Sequence, residues 1–557
     1  MTTPWIPYAG DDYLHWDEVE AWCRATAAAH PDWVRLETVG ESLLGRPLLL
    51  LTLTAPGDDR QRPGFWLDGG THAAEWTGVM AALYCVSRWV AALEDDPHLR
   101  QWFTDHAVYV MPCISPDGFD AMRRGAPFLR STLHTPPEGT VRCGLDPQDL
   151  DGDGAVRWMR WKHPAGPYVA DAEVPMFMRP RALDDDPSDA YFFCEEALFL
   201  NWDGYRWNVA ALSHGLDLNR NFPGHWAPFS MFGMHGGAYS LDAPESRAVV
   251  DAFAARPCIG AGLTNHTYTG CILTQPYREN SPLGTSDILL SERLAKMAVE
   301  GTDYRVFRVV PDFTYDPKNP VVGVWSDTMS ATFGVPGYTL ELWDPFGFAG
   351  VENEKPADFF TRPDPEKIKR LIEAFSALPG AAKPWTPFQH PQLGPVELGG
   401  IDYARTIRNP PPALLAAECA RGYAVADRLR RCLPRVTARA TSRPEDGLVI
   451  LEFVLENVGY LATSGLSHGA VLAATPPVSA RLSVGDGVEV VQGALGVGLA
   501  HLDGWGSRGG AGIHSVYPGL PDRGHRGVAR WWLKGTGEVQ IHWAGGRGGR
   551  GVTALVI

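Results

Sequence analysis

The sequence predicts an α/β protein that carries a second, all-β domain at its C-terminal end. Three observations carry this reading. Short apolar runs that stop at glycine or proline turns, such as GFWLDGG (64–70) and AVYVMPCISPDG (107–118), alternate with stretches of helical period. Near Pro379 the composition turns proline-rich. After Pro434 the chain breaks into short alternating runs, among them GLVILEFVLENVG, VSARLSV, GVARWWLKG and EVQIHWAG, at the spacing of a β-sandwich of roughly 120 residues. A length of 557 residues exceeds one typical domain. The divisions expected are residues 1–378, with an insertion at about 120–212, a connector with a helix over 379–433, and the sandwich over 434–557.

The elements follow in order. DDYLHWDEVEAWCRATAAAHPDW is an amphipathic helix with Val19, Trp22, Cys23 and Ala27 on one face. VRLETVG and RPLLLLTLT form a strand pair joined by ESLLG. GFWLD is a buried strand. The helix after it, TGVMAALYCVSRWVAAL, carries Val79, Leu83, Val86, Val90 and Leu93 at helical spacing. AVYVM is a second buried strand. From Asp120 to Leu212 the chain is acidic and rich in Pro, Trp and Arg, which reads as loops walling a site. Strands resume at GAGLTNHTYTG and YTLELWD, followed by the helix PEKIKRLIEAFSAL. KPWTPFQHPQLGPVELGG and IRNPPPALLAAE make the connector, with a helix near 413–431. GGRGGRG, near the end, has the look of an RNA-binding tract, but between two strands of an acidic chain it reads as a hairpin loop.

The bulk numbers exclude several classes. A net charge of −16 argues against a nucleic-acid partner. No apolar run reaches the roughly 18 residues of a membrane span. MTTPWIPYAGDD lacks the features of a secretory signal, so a cytoplasmic protein is expected. The nine cysteines show no Cys-x-x-Cys and read as reduced thiols.

The chemistry centres on GGTHAAEW. His72 and Glu75 stand three apart where a buried strand hands over to a helix, so both side chains can face one point. In open α/β sheets ligands bind at the C-terminal ends of strands. Spacing alone decides nothing, because His15 and Glu18 share it in a solvated first turn. A catalytic zinc takes three protein ligands and keeps one position open. Of the remaining histidines, His98, His134 and His163 fall in polar loops, and His225 and His235 in a glycine-rich one. His266 ends the apolar run GAGLTNHTY, again at a strand's C-terminal end.

HAAEW, SPDG, GLDLNRNFP, NHTY and TLELWD occur in an order that resembles the zinc metallocarboxypeptidases, the carboxypeptidase A-like peptidases; ETVGESLLGRPLLLLTL resembles their opening hairpin. The resemblance covers roughly residues 10–375. It implies a three-layer α/β/α domain with a mixed sheet of about eight strands and one zinc held by His72, Glu75 and His266. It assigns Glu341 as the catalytic carboxylate, taking a proton from water and passing it to the leaving amine. Asn219 and Arg220 match the pair that grips a terminal carboxylate, a task for which a guanidinium fork is suited. Arg160, in RWMRWK, is the best match to the oxyanion-stabilising arginine, with Arg123, Arg124 and Arg130 as rivals. Tyr315 matches the tyrosine that closes over the substrate, Tyr268 a pocket-lining position, and Ser326 the side-chain discriminating position, pointing to broad or neutral specificity. One departure stands out: many members have an arginine before the glutamate ligand, and here that residue is Ala74.

DLDGDG places Asp149, Asp151 and Asp153 as the first half of a calcium loop, with Asp146, Glu195 or Glu196 as possible further ligands and Arg160 where the closing glutamate belongs. The expected substrate is a peptide with a free C-terminal carboxylate. Two rivals stay open: a zinc amidase or deacylase on a carboxylate-bearing substrate, and a non-catalytic module that binds peptide or sugar.

Overall fold

The computed structural model describes residues 5–136, 138–231, 233–316, 320–508, 516–517, 519–520 and 523–557. Its centre is an eight-stranded mixed sheet built from β1 (Val34–Glu41), β2 (Pro47–Leu53), β3 (Gly64–Asp68), β4 (Ala107–Met111), β5 (Ile259–Thr267), β6 (Cys271–Thr274), β7 (Arg305–Arg308) and β8 (Gly337–Leu342). The strands lie in the order β1-β2-β4-β3-β5-β8-β6-β7. The four central strands β4, β3, β5 and β8 are parallel; β1, β2 and β6 join antiparallel. Sheets with parallel centres are covered on both faces, and their strands read as continuous apolar runs. That is why GFWLD and AVYVM are buried at every position.

Alternate residues of each strand feed two cores. Phe65, Leu67, Val108 and Val110 pack under α1 (Trp16–Ala29), α2 (Trp76–Ala92), α4 (Thr285–Ala298) and α6 (Pro412–Leu429). Trp66, Tyr109 and Met111 pack under α3 (Pro244–Ala254) and α5 (Trp325–Ala331). The result is the three-layer arrangement expected from the sequence.

In residues 379–433 the helix expected near 413–431 is present at Pro412–Leu429, and the proline-rich part departs from expectation. The proline-rich stretch is not a loose connector. Ala382–His390 and Gly394–Ile401 are antiparallel strands, and the second pairs with Trp158–Lys162 of the insertion, so the two regions share one six-stranded sheet. Prolines are tolerated here because the first of these strands is an edge strand. The helix that follows, α6, packs on α2 and reaches into the main core through Leu415, Cys419 and Val425.

The described strands between Val436 and Val556 form two four-stranded antiparallel sheets that enclose Leu451, Phe453, Trp531 and Ile541. GGRGGRG is the connection between the last two strands, as read from the sequence. Its Arg547 has a further task. The side chain is buried and donates to the carbonyls of Pro257 and Ile259 at 2.9 and 2.7 Å, of Phe333 at 2.5 Å and of Ser464 at 3.3 Å. It therefore ties the sandwich to the base of β5. Burial pulls its guanidinium down to about 10, so it remains charged at neutral pH. Replacing Arg547 with Ala leaves buried carbonyls without donors, and we expect a loss of about 2–3 kcal/mol in urea-unfolding stability. A variant as stable as the parent would show that the sandwich docks by other means.

Candidate metal centre

The site forms because two parallel strands end in register and a helix starts close beside them. His266 of β5 stands opposite Glu341 of β8, which puts both side chains on the same face of the sheet. β3 lies on the other side of β5 and runs into Gly69 and Gly70. The approach of α2 is tight. A Cβ on Gly69 would lie 2.5 Å from the Gly78 carbonyl oxygen, and a Cβ on Gly78 would lie 2.8 Å from that of Asn265. Gly70 adopts φ +64°, which only glycine takes without cost. These glycines hold the HAAEW turn against the end of β5.

His72 and Glu75 lie on that turn, just ahead of α2, with the Glu75 amide donating to the His72 carbonyl at 3.2 Å. Glu75 Oε1 is 2.9 Å from His72 Nδ1, and Oε2 is 3.0 Å from His266 Nδ1. The ligand atoms of His72, Glu75 and His266 all lie within 4.8 Å of one another, and all three residues are buried. Each histidine is oriented by its second nitrogen: His72 Nε2 lies 3.1 Å from Asp217 Oδ1, and His266 Nε2 lies 3.3 Å from Thr264 Oγ1. Such outer partners fix ring orientation in metal sites. Two imidazoles and a carboxylate are a zinc donor set, and here the three ligand atoms converge on one point, as the ligands of a single ion do. His15 and Glu18 make the contrast. There the Glu18 carboxylate accepts from the His15 amide at 2.7 Å and caps an exposed helix start.

A cavity of about 310 Å³ opens in front of these ligands, lined among others by His72, Glu75, Arg130, Arg220, Tyr268, Tyr315, Glu341 and Arg408. Burial, opposed by His266, pushes the Glu341 carboxyl up to about 7. Burial also pushes the Tyr315 phenol up to about 12, so it keeps its proton. Arg220 donates from Nη1 to the Asn219 carbonyl at 2.6 Å, while its Nε has no partner among the described residues. The Asn219 side-chain oxygen accepts from the Trp325 amide at 2.9 Å, which leaves its NH2 as the available donor.

Several sequence expectations need correction. Arg160 does not reach the cavity. Its strand pairs with Gly394–Ile401, its Nε bonds Glu397 at 2.8 Å, and its guanidinium lies over the rings of Trp385 and Tyr191 at 4.2 and 4.8 Å. Arg130, one of its rivals, does reach it, with Nε 2.8 Å from Asp217 Oδ2 and Nη1 3.7 Å from Glu75 Oε1. Its loop is pinned to the metal-ligand turn by the Ala73 amide, which donates to the Arg130 carbonyl. Ser326 is fully buried and bonds Tyr277 Oη at 2.5 Å and Thr339 Oγ1 at 2.8 Å. Tyr277, not singled out from the sequence, instead lines a side recess of about 50 Å³ together with Leu273, Val309, Val321 and Val324.

Calcium at DLDGDG is not supported. Lys383 bonds both Asp151 and Asp153, Arg157 bonds Asp153, and Asp149 accepts from the Gly152 and Gly154 amides. Asp146 is paired with Arg142, and Glu196 accepts from the Leu150 and Arg157 amides. The cluster is a turn in which two of the three carboxylates, those of Asp151 and Asp153, are already paired with cations of the chain and the third accepts from backbone amides.

Asp217 and Arg408 were also missed. Asp217 precedes Asn219 by two in a motif already recognised, and its role as the His72 partner follows from that position. Arg408 has no comparable signal, since it lies far along the chain.

Fold and donor set together define an α/β protein with a group of side chains that could hold a metal ion at the C-terminal edge of a mixed sheet. A sequence model of the zinc carboxypeptidase family matches residues 19–153 and 196–355, more than half of the chain, and the chain belongs to that family. Residues 434–555 match a domain of unknown function (DUF8731). Carboxypeptidase B of Astacus astacus is 38% identical over 109 residues, 19% of this chain and 34% of that protein. Carboxypeptidase A6 of Mus musculus is 27% identical over 152 residues, 27% of this chain and 33% of that protein. The chain thus spans about a third of the length of these relatives. Among solved structures, thrombin-activatable fibrinolysis inhibitor gives a TM-score of 0.40 at 18% identity, covering 66% of this chain and 76% of that one. Carboxypeptidase A of Helicoverpa armigera gives 0.39 at 18%, covering 66% and 73%.

Replacing His266 with Ala removes one of three ligands, and the purified variant should hold well under a tenth of the parent's zinc by mass spectrometry while keeping its far-ultraviolet circular dichroism. The same substitution at His15 should leave zinc content unchanged. Equal zinc in the His266 variant and the parent would place the metal elsewhere.

Proposed function

We propose that the chain is a zinc-dependent carboxypeptidase that removes the last residue of a peptide with a free terminal carboxylate. The observation that carries this reading is Arg220. It is a buried guanidinium facing the same cavity as the metal ligands, it has no carboxylate bonded to it among the described residues, and it stands beside an asparagine whose free donors lie next to it.

A zinc held by His72, Glu75 and His266 would supply Lewis acidity toward the scissile carbonyl and toward water. The remaining work belongs to the chain. Arg220 and Asn219 bind the terminal carboxylate, which fixes the register of the peptide. Glu341 takes a proton from the attacking water and returns it to the departing amine; a carboxyl held near neutrality suits both transfers. Arg130 faces the developing negative charge on the carbonyl oxygen, held for that task by Asp217. Tyr315, protonated and at the cavity wall, donates to the bound peptide. The recess beside Tyr277 is small, and its far wall of Leu273, Val309, Val321 and Val324 carries no charge, which favours a small neutral terminal side chain.

The test pairs metal analysis with hydrolysis of a panel of N-blocked dipeptides before and after chelation. One zinc per chain and chelator-sensitive release of the terminal residue are expected. Zinc with release only from acylated amino acids would replace the reading with a deacylase. Two variants probe the roles. Glu341→Gln should keep its zinc and lose about 10²–10⁴-fold in kcat. Arg130→Ala should lose about 10²–10³-fold in kcat, as removal of an oxyanion donor does, while Arg160→Ala stays within about twofold of the parent. The reverse ranking of the two arginines would return the oxyanion role to Arg160.

A further inference from the structure

Next to the cavity at the metal centre lies a second one of about 290 Å³, walled largely by apolar groups that include Ala74, Trp76, Met122, Phe128 and Val156. The two cavities share Phe128 and Arg408 in their walls, so they adjoin at those side chains. The side recess shares His72, Arg130, Arg220, Phe313, Tyr315 and Glu341 with the central cavity. Recess and second cavity thus each adjoin the cavity at the metal centre.

Arg408 belongs to the segment beyond the sheet strand Gly394–Ile401, outside the residues that match the zinc carboxypeptidase family. The chain holds that segment firmly against the metal-ligand turn. Asn409 donates to the Ala74 carbonyl at 2.8 Å and accepts from the amide and the hydroxyl of Thr77, both at 3.0 Å. Trp343 Nε1 donates to the Thr406 carbonyl at 2.7 Å. The Arg408 guanidinium lies over the Tyr268 and Tyr403 rings at 5.0 and 5.8 Å. Its two hydrogen bonds both come from Nη1 and both are long: 3.3 Å to Glu75 Oε1 and 3.4 Å to the Thr267 carbonyl. Its Nε has no partner among the described residues. Charge-assisted bonds of a committed guanidinium are nearer 2.7–2.9 Å. Arg408 is thus a fixed cation where the two cavities adjoin, with donors to spare, beside Ala74, where a cation before the metal-ligating glutamate is missing. The charges at the rim of the second cavity do not compete for the same role: Arg405 is bound to Asp402 at 2.9 Å, and Glu195 is exposed.

We propose that the second cavity receives the part of the peptide upstream of the scissile bond, as an apolar acyl group whose amide carbonyl oxygen is bound by Arg408. The inference rests on the carboxypeptidase reading only for the direction of the peptide, with its carboxylate at Arg220. Arg408 is a substrate-binding residue supplied by a segment that the family match does not include. It sets the minimum substrate as a peptide acylated on its penultimate residue.

Direct binding tests this without turnover. The metal-free full chain is titrated calorimetrically with N-benzoylglycyl-D-leucine, which carries the upstream carbonyl and an apolar acyl group, and with leucine, which has only the carboxylate end. The parent is expected to bind the acylated probe at least about tenfold more tightly. Arg408→Gln should erase most of that advantage and leave leucine binding within about threefold, and Arg408→Lys, keeping the charge without the fork, should fall between them. Reconstituted zinc content should match the parent in both variants. Equal weakening of both probes, or no change in either, overturns the inference. So does tighter binding of a succinyl analogue than of the benzoyl one, which would make the second cavity an anion site. Leucine bound without any preference for the acylated probe overturns this inference and leaves the carboxylate clamp standing. Preference for the acylated probe without peptide hydrolysis overturns the hydrolytic reading and leaves this one.

Discussion

Glu75 is the residue on which the rest of the site depends. Its two oxygens meet groups from its own turn and from three distant parts of the chain: His72 and Arg130 with Arg408 on Oε1, and His266 with the Thr267 amide on Oε2. A carboxylate this deep is costly unless it is surrounded by donors. Burial alone would raise its pKa, but the charge and hydrogen bonds of His72 and His266 outweigh burial and hold it well below the usual carboxylate range. Asp217 solves the same problem one step out: burial is overcome by Arg130, Arg220 and His72. The cluster is therefore one network, and each member's position is set by charge compensation as much as by packing.

That network explains which parts of the site were legible in the sequence. His72, Glu75, His266 and Glu341 sit at ends of short apolar runs, and strand ends in a parallel sheet are visible as places where hydrophobic residues stop. Asn219 and Arg220 lie in a compact turn whose Asp217 caps it locally. Arg130 and Arg408 offer no such signal, because they arrive from loops whose position is fixed by contacts far away in sequence. Arg160 misled for a related reason. It sits in a tryptophan-rich context like the one expected, but the insertion turns that stretch into a strand of a separate sheet and commits the guanidinium to Glu397 and Trp385. Ser326 shows the same limit at short range, since nothing in its own segment reveals that Tyr277 stands over it.

The regions outside the family match are structural partners of the site, not appendages. The strands over 382–401 complete the sheet of the insertion, and the turn after them reaches the metal-ligand segment through Asn409. The sandwich is attached on the opposite side of the sheet's length, through Arg547 at the start of β5 and through Asp287, whose carboxylate accepts from the Ser467 and His468 amides at 2.8 and 2.9 Å. β5 is thus tied to the sandwich at one end and carries His266 at the other. A strand restrained at its base keeps its terminal ligand in register with Glu341, which is a reason for a second domain to influence a site it does not touch.

The overall charge of −16 and the charge inside the cleft point in opposite directions. Around the metal-ligand turn three guanidiniums, those of Arg130, Arg220 and Arg408, are set against three carboxylates, those of Glu75, Asp217 and Glu341. A divalent cation added to that balance leaves the interior positive, although the surface is acidic. Low-dielectric walls concentrate such a field along the cleft instead of letting it spread over the exterior. An anionic group is then attracted once it enters the cleft, where the field is strong and short-ranged, and not by the acidic surface. The pairing of acids and arginines inside is consequently what sets the field along the cleft.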